Sequence, residues 1–254
     1  MSGVVGELFD VSGKVACVTG ASSGLGKRAA TVLAEAGATV IGFARREAKL
    51  WDWRNSAGPK AGCIVHDLSN RAKLSALSEE ITKSYGSPDI LVHAAGINPR
   101  QTADQVTLDQ WELTHWLNLS LHFFLSELFV KSMKQKGWGR IFNFASLQTT
   151  RAFPGGISYG ASKSGVGQLT RAMAEARSGN GINANAIGPG FFPTELTKAV
   201  FEDHERSVRN AKQTCIGRNG NLEDLDGPLF SLCSEASRYV TGQILMVDGG
   251  FTAK

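Results

Sequence analysis

The sequence predicts an α/β fold in which helices cover both faces of one parallel sheet, and two observations support this class. Short apolar runs alternate along the chain with longer segments of helical periodicity, a pattern typical of strand–helix–strand units with right-handed crossovers. In addition, no Pro/Ser-rich linker and no internal repeat divides the 254 residues. We therefore expect residues 1–254 to form a single doubly wound domain.

Seven apolar runs are the candidate strands. In chain order they cover 14–20, 38–45, 62–69, 89–96, 140–146, 181–190 and 243–250. Residues 26–37 have apolar positions at helical spacing and end on Gly37, a C-cap signal. A further helix is predicted around 70–86, whereas 51–62, which contains Trp51 and Trp53, is predicted to be a loop. In such folds ligands bind at the carboxyl ends of the strands, so the chemistry is expected there.

Composition and charge exclude several function classes. The net charge is only +4 and no run of five basic residues occurs, so no nucleic-acid surface is predicted. The four cysteines lie far apart without a CxxC pair, which argues against a zinc knuckle or a disulfide framework. His115 and His122 lie seven apart on a predicted helix with no third ligand, so no metal site is predicted.

The N-terminus and the most apolar helical stretch are used to predict the cellular location of the protein. The N-terminus carries acids and lacks the basic and apolar regions of a signal peptide. The most apolar helical stretch, 116–130, is interrupted by Asn118, His122 and Glu127 and is too short to span a bilayer. We expect a cytoplasmic protein that does not bind membranes.

The first candidate strand leads into TGASSGLGKR, residues 19–28. Its glycines lie in a strand-to-helix turn, where a backbone without Cβ atoms can approach a pyrophosphate closely. The following helix N-terminus offers free N–H groups and partial positive charge. The spacing is TGxxxGxG, which differs from GxGxxG and from a Walker A loop. A glycine-rich turn without a ligand is the alternative. The candidate cofactor residues here are Gly20, Ser22, Ser23, Gly24, Leu25 and Gly26.

The end of the second strand favours one dinucleotide over the other. An NAD site usually presents an acid there to the ribose 2′-hydroxyl, but Ala44 takes that position and is followed by Arg45 and Arg46. Arginine can bind a 2′-phosphate through paired charged hydrogen bonds, although two surface arginines are the alternative. The sequence thus predicts NADP(H) in preference to NAD(H), mainly because of Arg45.

Tyr159 and Lys163 lie four residues apart in ISYGASKSG, on one face of a predicted helix. An ammonium near a phenol favours the phenolate. Lowering the tyrosine pKa from about 10 to about 7 takes roughly 4 kcal/mol of differential stabilisation. Such a pair also arises by chance, so its meaning depends on the segments around it.

Several segments occur in the order found in one known family. They are TGASSGLG, HAAG at 93–96, WLNLS around Asn118, the strand-ending Ser146, YGASK, and NAIGPGFFPT at 185–194. Together they make the chain, from Lys14 to Gly250, resemble the short-chain dehydrogenase/reductase family, which has a Rossmann-type fold. The YxxxK spacing argues against the enoyl reductases of this superfamily and for carbon–oxygen chemistry.

The resemblance implies a catalytic role for four residues. Tyr159 is expected to be the general acid/base, and Lys163 to lower its pKa and bind the nicotinamide ribose. Ser146 is expected to hydrogen-bond the substrate oxygen. Asn118 is expected to support a water that links Lys163 to solvent. Hydride transfer and proton transfer would then occur on the same carbonyl group.

The resemblance also implies further cofactor contacts. Asp67 is expected at the adenine, Pro189 and Gly190 beside the nicotinamide, and Thr194 at its carboxamide. Ala94 replaces an asparagine common in relatives, which is tolerable where the backbone makes the contact. The further candidate cofactor residues are Asp67, Leu68, Ala94, Ala95, Gly96, Tyr159, Lys163, Pro189, Gly190, Phe192 and Thr194.

Three segments after strand ends are the candidate substrate side: 97–101, 147–153 and 191–205, the last as part of a lid over 190–212. The candidate substrate residues are Ser146, Gln148, Tyr159 and Phe191. Arg100, Gln148 and Arg151 suit a hydroxylated or anionic substrate, whereas Phe153, Phe191 and Phe192 suit an apolar one.

Three functions remain open. SLQTTR, GINPR and GFFPTELTKAVFED look most like the gluconate 5-dehydrogenase branch, which implies a keto sugar acid or polyol substrate. The alternatives are a general carbonyl or 3-oxoacyl thioester reductase and a catalytically idle dinucleotide-sensing scaffold. The helices predicted at 107–136 and 157–177 resemble the interface through which the family forms dimers and tetramers, so a homo-oligomer, a homotetramer or a dimer, is expected.

Overall fold

The computed structural model describes residues 3–254 and contains a seven-stranded parallel sheet with the order β3-β2-β1-β4-β5-β6-β7. The strands are β1 Val15–Thr19, β2 Thr39–Ala44, β3 Ala61–Val65, β4 Ile90–His93, β5 Gly139–Phe144, β6 Ile182–Pro189 and β7 Ile244–Val247. Each coincides with a predicted run, with at most one residue outside it. The predicted doubly wound α/β fold is confirmed.

Helices pack on both faces of this sheet. They are α1 Val4–Leu8, α2 Gly24–Glu35, α3 Glu47–Ser56, α4 Leu74–Tyr85, α5 Leu108–His115, α6 Leu121–Lys136, α7 Ile157–Arg177, α8 Lys198–Phe201, α9 His204–Gln213 and α10 Asp226–Cys233. One core layer joins the sheet to α2, α3 and α10, and the other joins it to α4, α6 and α7. In residues 3–254, no helix combines the length and apolarity needed to cross a membrane.

The strand order reverses between β1 and β4. The chain reaches the sheet edge at β3 and then returns to the opposite side of β1, so two connections diverge from neighbouring strand ends. Thr19 is paired with His93 in register, and its Oγ1 accepts hydrogen bonds from the backbone N–H groups of Ala94 and Ala95, both at 3.0 Å. The glycine loop after β1 and the AAG segment after β4 are therefore held side by side.

The predicted loop at 51–62 is wrong over its first half, because Glu47–Ser56 forms α3. Leu50 and Trp53 share one face of α3 and are fully buried. Trp53 packs against Gly42 of β2 and donates its indole N–H to Thr31 Oγ1 at 3.2 Å. With only these two core residues, the segment has too little apolar periodicity to show its helix in the sequence. Trp51 lies on the exposed face.

The helix predicted over 107–136 is interrupted once. Between α5 and α6, Trp116–Ser120 forms a π-helical turn that contains Asn118. Such turns insert an extra residue into a helix and occur frequently at functional sites. The prediction at 157–177 coincides with α7.

Candidate active site

A cleft of about 520 Å³ opens at the carboxyl ends of β1, β2, β4, β5 and β6, within the usual size range of small-molecule sites. Most residues predicted from the sequence line it. They are Gly20, Ser22, Ser23, Gly24, Leu25, Gly26, Arg45, Arg46, Leu68, Ala94, Ala95, Gly96, Ser146, Gln148, Tyr159, Lys163, Pro189, Gly190, Phe191, Phe192 and Thr194. Asp67, Asn118 and Arg151 are the predicted residues that do not line it.

The glycine loop lines the cleft with backbone that carries no side chains. Gly20 has φ +75°, and a Cβ there would lie 3.0 Å from the Ala95 nitrogen. A Cβ on Gly26 would lie 2.5 Å from the Gly20 oxygen, so neither position accepts a side chain without a shift. Ser23, the N-cap residue of α2, makes no side-chain capping bond. The first N–H groups of α2 are thus directed to a ligand site, and the loop fits a dinucleotide pyrophosphate.

Two arginines follow β2, and they have different surroundings. Arg46 donates to Ser22 Oγ at 3.0 Å and to Ser23 Oγ at 2.6 Å, which places its guanidinium along the glycine loop. Arg45 is exposed at the rim of the cleft. Both are therefore placed to meet the adenosine end of a dinucleotide, with Arg46 the more firmly positioned.

Asp67, predicted at the adenine, lies beside the cleft instead of in its wall. Its Oδ1 accepts the backbone N–H of Ser69 at 3.0 Å. That hydrogen bond, with a smaller contribution from the charge of Arg45, keeps the pKa of Asp67 below its usual value. The neighbours His66 and Leu68 line the cleft. Because side chains alternate in direction along an extended segment, the residues on either side of Asp67 face the ligand space.

Ser146, Tyr159 and Lys163 meet at the middle of the cleft. Ser146 follows β5, and Tyr159 and Lys163 lie one turn apart on α7. All three are nearly buried, with between 5% and 9% of each residue exposed. Lys163 Nζ donates to the backbone oxygen of Phe144 at 2.6 Å and lies 5.8 Å from the centre of the Tyr159 ring. The lysine is thus fixed against β5, behind the tyrosine.

Asn118 is buried and connects three elements behind the cleft. Its Oδ1 accepts the N–H of Ile97 at 2.8 Å, and its Nδ2 donates to the Ile97 oxygen at 2.9 Å and to Ser162 Oγ at 3.1 Å. The π-helical turn is thereby tied to the loop after β4 and to α7. In this arrangement Asn118 positions the elements that carry Tyr159 and Lys163.

Burial controls the protonation of the two α7 residues. It raises the pKa of Tyr159, and the hydroxyl of Ser146 and the charge of Arg100 act in the opposite direction. Burial also lowers the pKa of Lys163 to about 8. The sequence predicts that the charge of Lys163 lowers the pKa of Tyr159, and this role stays a prediction. In the structure, Ser146 and Arg100 favour the phenolate of Tyr159.

Two arginines line the part of the cleft that contains Tyr159. Arg100 has φ 52° and donates to the backbone oxygen of Leu196 at 3.0 Å. Burial and, second, the charge of Arg206 lower the pKa of Arg100, so the two cations lie close together. Both line the cleft that contains Tyr159. Sequence reasoning missed Arg206, which follows the predicted 191–205 segment by one residue and belongs to no motif.

The other predicted substrate residues divide between the cleft and its surroundings. Gln148, Phe153 and Phe191 line it, and the Phe153 and Phe191 rings pack edge to face with centres 6.1 Å apart. Arg151 does not line it, because its guanidinium donates to the backbone oxygen of Lys254 at 2.8 Å.

His122 is fully buried and stacks on His93, with ring centres 4.8 Å apart. His93 Nε2 is hydrogen-bonded to Ser126 Oγ at 2.9 Å, and burial lowers the pKa of His93 to about 3. His122 is held neutral in the same way. His115, in contrast, is bonded to the Trp111 oxygen on its own helix. Within 3–254, no three His, Cys, Asp or Glu side chains group as metal ligands.

Known proteins resemble this chain over nearly all of its length. A family model described as enoyl-(acyl carrier protein) reductase matches residues 20–252. The chain is 39% identical to a 2-dehydro-3-deoxy-D-gluconate 5-dehydrogenase from Pseudoalteromonas atlantica, over 98% of this chain and 99% of the relative. It is 35% identical to a 3-oxoacyl-[acyl-carrier-protein] reductase from Vibrio cholerae, over 95% and 98%.

A solved structure agrees with these relatives. The gluconate 5-dehydrogenase from Burkholderia cenocepacia, described in complex with NADP and tartrate, superimposes with a TM-score of 0.92 at 35% identity, covering 99% of this chain and 100% of that one.

A glycine loop at a topological switch point, next to a Tyr–Lys pair and a serine, defines a dinucleotide-dependent oxidoreductase. Because the family model and these relatives match nearly the whole chain, the chain belongs to the short-chain dehydrogenase/reductase family. It acts on a CH–OH/C=O group, which removes the idle scaffold from the alternatives.

Proposed function

We propose that this enzyme uses NADP(H) to interconvert the keto and hydroxy forms of a small anionic substrate of the sugar-acid class. The observation that carries the substrate proposal is the pair Arg100 and Arg206 beside Tyr159. A substrate carboxylate bound by these guanidinium groups would place a neighbouring carbonyl carbon within the cleft. The relatives described as gluconate dehydrogenases, and the tartrate in one of them, support this class.

The site residues act on the carbonyl oxygen in the reductive direction. The dihydronicotinamide of a bound NADPH would supply a hydride to the carbonyl carbon. Tyr159 donates its phenolic proton to the carbonyl oxygen, so that the products are a secondary alcohol and NADP⁺. Ser146 donates a hydrogen bond to the same oxygen, and Arg100 stabilises the phenolate that the proton transfer leaves. Lys163, charged below about pH 8 and held at the Phe144 oxygen, would favour the phenolate through its charge.

Support for NADP(H) over NAD(H) comes from the two arginines after β2. No acid follows Ala44, and Arg45 and Arg46 both line the cleft. Two solved relatives besides the Burkholderia enzyme are also described with NADP bound. The preference for NADP(H) over NAD(H) is part of this proposal.

The substrate class is tested by replacing Arg100. We expect Arg100→Met to lower kcat/KM for keto sugar acids about 10- to 100-fold, since a hydrogen bond to a charged group contributes roughly 1.5–3 kcal/mol. The kcat/KM for uncharged ketones and diketones should fall much less. The measurement is the initial rate of NADPH oxidation across keto sugar acids, ketoses, diketones and 3-oxoacyl thioesters.

The control for this experiment is Arg151→Met, which removes an equal charge from a side chain directed at Lys254. It should leave the substrate ranking of the wild type unchanged. An equal loss for charged and uncharged substrates in Arg100→Met would contradict a carboxylate site. A wild type most active on 3-oxoacyl thioesters would favour the second candidate function, which the Vibrio cholerae relative and the Phe153–Phe191–Phe251 cluster support.

We further propose one catalytic domain whose segment 190–212 is a lid. This segment contains the Glu195–Thr197 turn, α8 and all of α9 except its last residue, and Arg100 donates to its backbone at Leu196. The four cysteines are free thiols, which suits a reducing, cytoplasmic setting.

An apolar face on α5, α6 and the start of α7 supports a homo-oligomer, a tetramer or a dimer. Its exposed side chains are Leu108, Trp111, Phe124, Leu128 and Ile157, and apolar patches of this kind mark protein interfaces. We expect Phe124→Glu to reduce the mass measured by light scattering after gel filtration, because it buries a charge in the interface. Val65→Glu, on another exposed apolar residue, should keep the wild-type mass. A Phe124→Glu variant of unchanged mass would contradict the interface.

A further inference from the structure

We propose that Glu195 sets the cofactor specificity of the cleft by competing with the cofactor 2′-phosphate for Arg46 and Lys49. The inference rests on the proposed use of NADP(H) and adds a residue that opposes it. Glu195 lies on the turn after Thr194, and its carboxylate forms ion pairs with Arg46 and, at 2.5 Å, with Lys49. Two cations and one anion thus form a bridge at the rim of the cleft.

The bridge joins two sides of the cleft that are distant in the sequence. Arg46, the N-cap residue of α3, and Lys49, in the first turn of α3, follow β2, where the adenosine ribose of a dinucleotide is expected. Glu195 follows β6, on the nicotinamide side. The same Arg46 guanidinium also donates to Ser22 and Ser23 of the glycine loop. The bridge therefore lies at the rim of the cleft, where the ribose 2′ position of a bound dinucleotide is expected.

A 2′-phosphate would bind the same hydrogen-bond donors, those of Arg46 and Lys49, that Glu195 occupies. Carboxylate and phosphate oxygens both bind arginine through its forked N–H groups. The Arg46 Nη1 that faces outward from the serines is paired with Glu195. A phosphate placed beside an unmoved Glu195 carboxylate would also be repelled by it. Binding of the phosphate to Arg46 therefore requires that Glu195 move away.

The bridge is able to open. About half of each of the three side chains is exposed, with fractions of 45%, 47% and 53% for Arg46, Glu195 and Lys49. Ion pairs at this level of exposure are weak and are screened by salt. A cofactor that carries a 2′-phosphate replaces the carboxylate, whereas NADH brings no anion to that position. Glu195 thus reduces the advantage of NADPH over NADH without contacting the reacting atoms.

The experiment compares Glu195→Gln with the wild type by calorimetric titration at low salt. The probes are adenosine 2′,5′-bisphosphate and adenosine 5′-monophosphate, followed by NADPH and NADH. We expect Glu195→Gln to bind the bisphosphate and NADPH about three- to tenfold more tightly, from the loss of two exposed ion pairs. The affinities for the monophosphate and NADH should stay at the wild-type values.

Glu202→Gln is the matched control, since it makes the same charge change at an exposed carboxylate that pairs with Lys198 at 3.4 Å instead of with Arg46 or Lys49. Its affinities should equal those of the wild type for all four probes. Unchanged or weaker bisphosphate binding in Glu195→Gln would overturn the competition. An equal increase in the affinities for the bisphosphate and the monophosphate, which a general charge effect predicts, would also overturn it. An equal decrease in both affinities, which a clamp over bound cofactor predicts, would overturn it as well.

The result also separates this inference from the cofactor proposal. If both the wild type and Glu195→Gln bind the bisphosphate no more tightly than the monophosphate, NADP(H) dependence itself is contradicted, and with it the role of Glu195. If the wild type prefers the bisphosphate and Glu195→Gln leaves that preference unchanged, only the role of Glu195 is wrong.

Discussion

Tyr159→Phe is expected to lower kcat for carbonyl reduction about 10²- to 10⁴-fold, the usual contribution of a positioned general acid. The change removes one hydroxyl from a nearly buried ring, so the packing of α7 against the sheet is preserved. Ser146 and Lys163 remain, but neither replaces the phenol: the serine hydroxyl is a far weaker acid, and Lys163 Nζ is held at the Phe144 oxygen. The measurement is the steady-state rate with saturating NADPH.

The binding of the cofactor separates a chemical effect from a structural one. Tyr159→Phe should bind NADPH with nearly wild-type affinity, measured by the fluorescence of the bound dihydronicotinamide. Tyr239→Phe, which removes a hydroxyl from a fully exposed tyrosine, is the matched control and should keep full activity. Turnover of Tyr159→Phe near the wild-type rate would show that another group moves the proton.

The sheet could be predicted from the sequence because its signals are local. Each strand is a short apolar run of the chain, and the runs at Val15–Thr19 and Ile90–His93 end in segments where turn residues mark the boundary. Helix α3 was missed for the converse reason: it is mostly exposed, and it is stabilised by Trp53 packing on Gly42. That contact depends on how α3 packs on β2, which no local sequence pattern encodes.

The candidate site divides in the same way. Residues carried by strand ends and motifs, such as Ser146, Gly26 and Pro189, lie in the cleft because the parallel sheet brings all its carboxyl ends to one edge. Contacts between distant segments were not predictable. Arg46 meets Glu195 across 149 positions of sequence, and neither residue indicates the other. Asp67 lies outside the cleft because its orientation depends on one hydrogen bond, with Ser69.

Protonation was the least predictable property of the site. The spacing of Tyr159 and Lys163 suggests that the lysine charge acts on the phenol, but spacing carries no information on burial. In the structure the burial of both groups disfavours their charged forms. Arg100, which lies on a loop 59 positions before Tyr159 in the sequence, is one of the groups that favour the phenolate. The loop after β4 therefore carries a charge that acts on the acidity of Tyr159.

The second large effect is expected at Arg45. Arg45→Asp places an acid directly after Ala44, at the end of β2, where it would repel a 2′-phosphate and accept a hydrogen bond from a ribose 2′-hydroxyl. We expect the ratio of kcat/KM for NADPH to that for NADH to fall about 10- to 100-fold, from the loss of a charge-assisted hydrogen bond of roughly 1.5–3 kcal/mol. The measurement is the initial rate with each cofactor at one fixed substrate concentration.

Arg45 and Arg46 make separable contributions to this ratio. Arg46 keeps its hydrogen bonds to Ser22 and Ser23 when Arg45 is replaced, so the variant should retain part of its affinity for NADPH. Lys83→Asp makes the same charge change on the exposed face of α4 and should leave the ratio unaltered. An unchanged ratio in Arg45→Asp would contradict a role of Arg45 and leave phosphate recognition to Arg46 and Lys49. In that case Glu195, which pairs with Arg46, would be the residue through which the cofactor preference is adjusted.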